Sequence, residues 1–521
     1  MGILKIPSPQ ECGLPEKFSA WRPVQVEMLR FLLGSPMRVK APLGPTGSGK
    51  SPVIVAYALL TKQPTCIVTD SRSLQDQYIR DFGDIGMVDL RGRRNYVCDM
   101  RPDYTCEDGY GAGCPYKGTI GCPSSQAEMR AATSSLVVTN YDKWTAAKKY
   151  GQGMNHFQQV VFDEGHEAPN ALARAMQVVV HHRERERHIS MDPPSQPDDM
   201  LHWKRWAVDA RAIIEVELKR AQDKIKGQSN PQPSHVRHAL HMRHLHRKLG
   251  TLSTCNPSSW VVEEIDKGYQ FDPVRPGKYA ESNLLLRVPS VVVISATLRP
   301  KTLYMLGQGK DTFDFREFDS EFDSIRNPIY WVPTMRVDAK AHDFSKFYAR
   351  LDQIAARRQD RKGIIHTVSY ARREELMRNT RFAPRMLLNP QGDAPTAIIN
   401  QFRNSPDGTI LVSPSVGQGH DFPGRDCEWQ LLCKVPFPPP SKVLKARTQD
   451  DPEYPYYLAM QKMVQVFGRA MRSREDRCEN FIVDDHMEWF LPRFGHLAPR
   501  SFHMFFRRAD TLPQPPDRLP R

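Results

Sequence analysis

Several things are missing from this chain of 521 residues, and each absence excludes a class of protein. No apolar run is long enough to cross a membrane; the best, Val291 to Ile294 with its flanks, is interrupted by Arg287 and Pro289. The opening Met1-Gly2-Ile3-Leu4-Lys5-Ile6-Pro7 lacks an apolar core of signal-peptide length, and Ile6 stands where a myristoylation signal needs Ser or Thr. A cytoplasmic location is therefore expected, nuclear if the host is eukaryotic, with no membrane partner. Ten cysteines in a chain of this size do not read as a disulfide framework, and no two are spaced as the C-x₂₋₄-C pair usual in structural zinc sites. No repeat occurs at solenoid spacing. Acids are absent from Lys224 to Val262.

What is present points to nucleotide and polyanion chemistry. Lys and Arg number 73 against 59 Asp and Glu, a net charge of +14 that favours nucleic acid as partner. Gly44-Pro45-Thr46-Gly47-Ser48-Gly49-Lys50-Ser51 fits the P-loop. In that motif backbone N–H groups cradle a triphosphate, Lys50 reaches the β/γ-phosphates and Ser51 binds Mg²⁺. Downstream, the apolar Val160-Val161-Phe162 runs into Asp163-Glu164-Gly165-His166. Asp163 can hold the magnesium shell and Glu164 can orient and deprotonate a water.

Apolar spacing predicts a helix over 17–33, strand–helix alternation through the P-loop region, and then a linker at 191–197. Two long helices follow, one from Trp203 to Ile225 and one from about Ser234 to Leu249. Alternation resumes near Leu284 and runs to about Phe490, which predicts α/β architecture. Trp21-Arg22-Pro23-Val24-Gln25 places an amide before the P-loop that can read an adenine edge. Ile294-Ser295-Ala296-Thr297 ends a strand on small hydroxyl residues. Gln465-Val466-Phe467-Gly468-Arg469-Ala470-Met471-Arg472 reads as a helix with Arg469 and Arg472 on one face, suited to a γ-phosphate in transit.

The order of these motifs resembles a superfamily 2 helicase and, within it, the XPD/DinG family, over Trp21 to Asp485. Ser415-Val416-Gly417-Gln418-Gly419-His420-Asp421-Phe422-Pro423-Gly424 and Lys434-Val435-Pro436-Phe437-Pro438 look like that family in particular. The resemblance implies two RecA-like P-loop motor domains, the first over 1–180 and returning at 281–298, the second over 299–510. It implies a cluster insertion at 92–125 and a helical arch at 181–280. The Pro-rich 511–521 reads as a disordered tail. Arg22, Gln25, His166, Gly419, Asp421 and Gln465 would join the P-loop at the ATP site, and Arg469 and Arg472 would act from the second motor. Gly165 stands where the family usually has Ala, a small-for-small change expected to matter little.

Cys98, Cys106, Cys114 and Cys122 fall where the family carries a 4Fe–4S cluster, and four thiolates are the right complement. Zinc and four unliganded thiols are the other readings. The basic, His-rich 224–262 corresponds to the arch, as a groove wall for a phosphate backbone, a solvated face or a metal site. The expected activity is that of a monomeric ATP- and Mg²⁺-dependent DNA helicase, 5′→3′ by resemblance, on single-stranded and forked or tailed duplex DNA. An RNA or RNA:DNA-hybrid helicase and a non-unwinding nucleoprotein remodeller are the alternatives.

Overall fold

The computed structural model describes residues 4–149, 154, 156–228, 231–338, 343–389, 395–414 and 421–518. Short apolar runs make its sheets. Val291-Val292-Val293-Ile294 and Val160-Val161-Phe162 are buried along their whole length, as strands covered on both faces must be. They lie side by side in a seven-stranded parallel sheet ordered 313–317, 39–43, 290–294, 159–163, 65–69, 136–140, 88–89. A second seven-stranded parallel sheet is ordered 386–388, 410–413, 363–366, 429–432, 479–484, 329–335, 506–508. The first sheet claims Phe313–Glu317, so the first motor extends past the boundary expected at 298.

Between the strands at 159–163 and 290–294 the chain builds the arch. Its helices Met200–Asp223 and Pro233–Thr254 bury Trp203, Ile214, Met242 and Leu249 against each other and a three-stranded antiparallel sheet. That sheet takes Val178–His181 as an edge strand, so the arch begins before 181. The smaller insertion carries the strands Val97–Cys98 and Arg101–Thr105 and the helix Cys106–Gly111. It packs on the arch: a Cβ at Gly111 would meet Leu240 at 2.7 Å.

The helix expected over 17–33 starts at Pro23, since proline takes the first helical position readily and is disfavoured further inside a helix. The tail expected to be disordered is held in place over 511–518. Arg357, Arg358 and Arg361 donate to the carbonyls of Leu512, Pro513 and Pro516, and Arg477 donates to Asp517. Prolines have no N–H to pair their neighbours' carbonyls, so those oxygens are open to guanidinium donors. Among the described residues no helix is long and apolar enough to cross a membrane.

Candidate functional site

The C-terminal ends of both sheets face one cleft of about 490 Å³. The P-loop enters it between the strand Val39–Leu43 and the helix Lys50–Thr61, with Gly47 at φ +72 and Gly49 at φ +70. That left-handed geometry suits glycine. Lys50 Nζ lies 3.4 Å from the carbonyls of Gly44 and Pro45, and the buried Ser48 hydroxyl has no protein partner. Gln25, placed by the helix Pro23–Gly34, donates to Gly49 O at 3.0 Å and accepts from Arg22 N at 2.9 Å; Arg22 donates to Gly47 O at 2.6 Å. One end of the Gln25 amide thus braces the loop, and the other holds the Arg22 backbone. Lys17, Phe18, Trp21 and Phe82 line the same wall.

The strand Gln159–Asp163 delivers the acids. Asp163 Oδ1 accepts from Glu164 N at 3.0 Å and Oδ2 from the Tyr78 hydroxyl at 2.8 Å. Glu164 takes the left-handed conformation at φ +50, rare for a side chain larger than glycine, which turns it into the cleft. Ser295 links Glu164 to His166. Its hydroxyl donates to Glu164 Oε2 at 3.2 Å and lies 2.6 Å from His166 Nδ1. His166 also sits 3.5 Å from Glu167 and hydrogen-bonds Gln465 of the second motor.

Burial opposes the charge on His166, but its bonds to Glu164 and Glu167 outweigh that and raise it to about 9. Burial would likewise raise Glu164; the His166 bond and charge, with Lys50 behind them, hold it at about 2. Asp163 is pushed up to about 6 by burial and by the neighbouring Glu164 charge. Adjacent acids with separated affinities for protons are what an acid–base site needs. Burial raises the Tyr78 phenol well above its ordinary range, so it stays a donor.

The second motor closes the cleft with Asp421, Gln465, Gly468, Arg469 and Arg472. The helix carrying Gln465 stops at Phe467, so Arg469 and Arg472 do not share a helical face as the sequence predicts. They lie in the turn after it, where Gly468 lets the chain run against the P-loop. A Cβ at Gly468 would meet Thr46 Oγ1 at 2.5 Å, and one at Gly47 would meet Met471 O at 2.5 Å. Arg472 pairs with Asp421, and burial pushes both guanidinium groups below their ordinary range. Gly419 lies outside the described residues, as do Ser415 to His420 as a whole.

Gly165 matters more than a small-for-small exchange. An alanine Cβ there would come 2.5 Å from Val293 Cγ1 and 3.1 Å from Ile294 N. The acid loop passes so close to the adjacent strand that only a hydrogen fits. Tyr78 escapes sequence reading. On the helix Arg72–Phe82, stepping by four to Phe82, it looks like any core aromatic.

The four candidate cysteines face one small cavity of about 20 Å³ beside Arg93, Tyr110 and Lys117. Cys106 begins one helix and Cys122 caps another, with their sulfurs 3.9 Å apart. Burial drives Cys106 up to about 12, while Cys122 is lowered: burial opposes this, but the Ser125 hydroxyl and backbone N–H outweigh it. A donor set of four thiols beside two cations fits a thiolate-held cluster. Among the described residues no three His, Cys, Asp or Glu are gathered closely enough to hold a metal ion. The arch helix is less open to phosphate than its acid-free sequence implies. Arg237 pairs with Asp108 at 3.3 Å, Lys248 with Glu184 at 3.1 Å, and His244 lies 3.8 Å from Glu107.

Two family models match: "Type III restriction enzyme, res subunit" over 21–191 and "Helicase C-terminal domain" over 353–503. No curated protein sequence matches. Two parallel sheets face one cleft, and the second lies in the half matched by the helicase C-terminal domain model. The fold is shared with solved structures of XPD helicases. An XPD helicase structure superposes with a TM-score of 0.66 at 14% identity, covering 94% of this chain and 100% of that one. The structure of S. tokodaii Xpd4 gives 0.62 at 12%, with the same coverage of 94% and 100%. An apo XPD structure gives 0.59 at 14%, again over 94% and 100%.

Proposed function

We propose that this protein is an ATP-driven DNA helicase that moves 5′→3′ on single-stranded DNA and opens forked or tailed duplexes. The observation carrying the reading is the shared cleft, lined by Lys50, Asp163 and Glu164 from one motor and Arg469 and Arg472 from the other. Bound Mg-ATP supplies a phosphoryl group whose charge the metal neutralises. Around it, Thr46, Gly47, Ser48 and Gly49 offer backbone N–H groups, and Lys50 supplies a cation. Ser51 and Asp163 are the metal-side ligands, and Gln25 and Arg22 hold the base side. Glu164, kept ionised by His166, accepts the proton of the attacking water. Arg469 and Arg472 meet the γ-phosphate only when the motors close, which couples hydrolysis to motion.

Cys98, Cys106, Cys114 and Cys122 are assigned to a 4Fe–4S cluster, supported by all four lining one small cavity beside Arg93 and Lys117. The test is strand release from matched DNA duplexes with 5′ or 3′ single-stranded tails, and from RNA-tailed twins, alongside iron analysis of anaerobically purified protein. Release from the 5′ DNA tail with about four irons per chain is expected. Preference for RNA tails, for 3′ tails, or stoichiometric zinc would each overturn the corresponding part.

A further inference from the structure

Tyr78 does not itself line the cleft, yet its side chain ends on residues that do. It is buried to 1% exposure on the helix Arg72–Phe82, packed against Phe82 with ring centroids 5.8 Å apart. Its hydroxyl donates to Asp163 Oδ2 at 2.8 Å, and the Ser51 side chain neighbours the same phenol oxygen. Those two residues are the metal ligands of the reading above, on which this inference rests. Asp163 Oδ1 is already held by the Glu164 N–H, so the Tyr78 bond fixes the carboxylate about its remaining freedom. A serine that offers a lone pair to a cation must turn its hydrogen elsewhere, and the phenol oxygen is the acceptor beside it.

We propose that Tyr78 is a positioning residue for the divalent cation: it orients Asp163 and Ser51 from behind the site and so sets metal affinity, without touching nucleotide. Outer partners of metal ligands typically govern affinity on this scale. The test is Tyr78→Phe, which keeps the ring and removes the oxygen. Mn²⁺ binding to the nucleotide-loaded protein, read by electron paramagnetic resonance, should weaken on the order of tenfold, the weight of one hydrogen bond to a charged carboxylate. Affinity for a fluorescent ATP analogue in excess chelator should stay within about twofold, because the contact is to ligands of the metal.

A purely structural tyrosine would instead weaken nucleotide binding equally with and without metal, which overturns the proposal. So would wild-type Mn²⁺ affinity in the variant. In an Asp163→Asn background the Tyr78→Phe effect should shrink to the share carried through Ser51; if it persists in full, the phenol does not act through Asp163. If the unsubstituted protein binds no nucleotide with metal, the ATP-site reading fails and takes this inference with it. Normal wild-type binding with an indifferent Tyr78→Phe sinks the inference alone.

Discussion

The nucleotide cleft and the arch helix Pro233–Thr254 both gather basic side chains, and they hold them in opposite ways. In the cleft, Lys50, Arg469 and Arg472 are placed by backbone turns next to acids of the same site, Asp163, Glu164 and Asp421. Their charges are shaped by burial, and all three line one cleft. Along the arch helix, Arg237 and Lys248 are answered by Asp108 and Glu184, acids more than sixty residues away in sequence. A segment with no acid of its own is thus partly neutralised by its neighbours in space. Cation density along a chain measures a field only after the fold has added its counter-charges.

The sharpest way to break the comparison is at the cleft. Lys50→Ala should reduce hydrolysis to background, while single-stranded DNA binding, measured by anisotropy, stays within a few-fold. Glu164→Gln should keep nucleotide binding and lose about 10²–10⁴ in turnover, the usual weight of a general base. If either substitution weakened DNA binding as much as hydrolysis, the cleft would not be a separate nucleotide site.

Next in size is Gly165→Ala, which overlaps Val293 and should cost about 1–3 kcal/mol in denaturant unfolding. An unaltered midpoint would show that the acid loop is less tightly seated than its contacts with the adjacent strand indicate.

The arch helix gives a smaller, graded effect. Changing Arg237, Arg243, Arg247 and Lys248 to Ala would lower the salt slope of single-strand binding by about three if all four met phosphate. Since Arg237 and Lys248 already hold ion pairs, a fall of roughly two or less is expected. Basal hydrolysis should not move. A full fall of three would mean that DNA displaces Asp108 and Glu184, and the contrast with the cleft would dissolve.

The smallest effect is in pH. The folded protein raises His166 to about 9, so protonated His166 contributes stability that is complete below its ordinary value of 6.5. That contribution is lost as pH rises through about 9. The difference in melting temperature between wild type and His166→Asn should therefore shrink across that window. Glu164 is 39% exposed, which weakens the pair through solvent screening. A constant difference would assign His166 a neutral, hydrogen-bonding role.

The cleft was legible in sequence because its chemistry is local. Gly47, Gly49, Lys50 and Ser51 act within one turn of backbone, and Asp163 and Glu164 follow directly from the end of a strand. What was not legible depended on distant partners. Tyr78 gains meaning only from Asp163, and Gly165 only from Val293. The arch arginines are misread without Asp108, and the Pro-rich tail without Arg358 and Arg361. Arg469 and Arg472 were found for a helical spacing they do not have; the cleft brings them together through the turn after Phe467. Sheet membership of Val178–His181 and Phe313–Glu317 was missed for a similar reason, since which sheet claims an edge strand is decided by packing.

Gly468 meets Thr46, and Gly47 meets Met471, across the two halves at distances no Cβ would tolerate. On the function proposed above, jaws that part and meet need a mechanical stop, and the stop is made of two missing methyl groups. Adding one at position 468 would leave every reactive group in place and only shim the jaws apart. Such a motor would still grip its fuel, yet run with a shortened stroke.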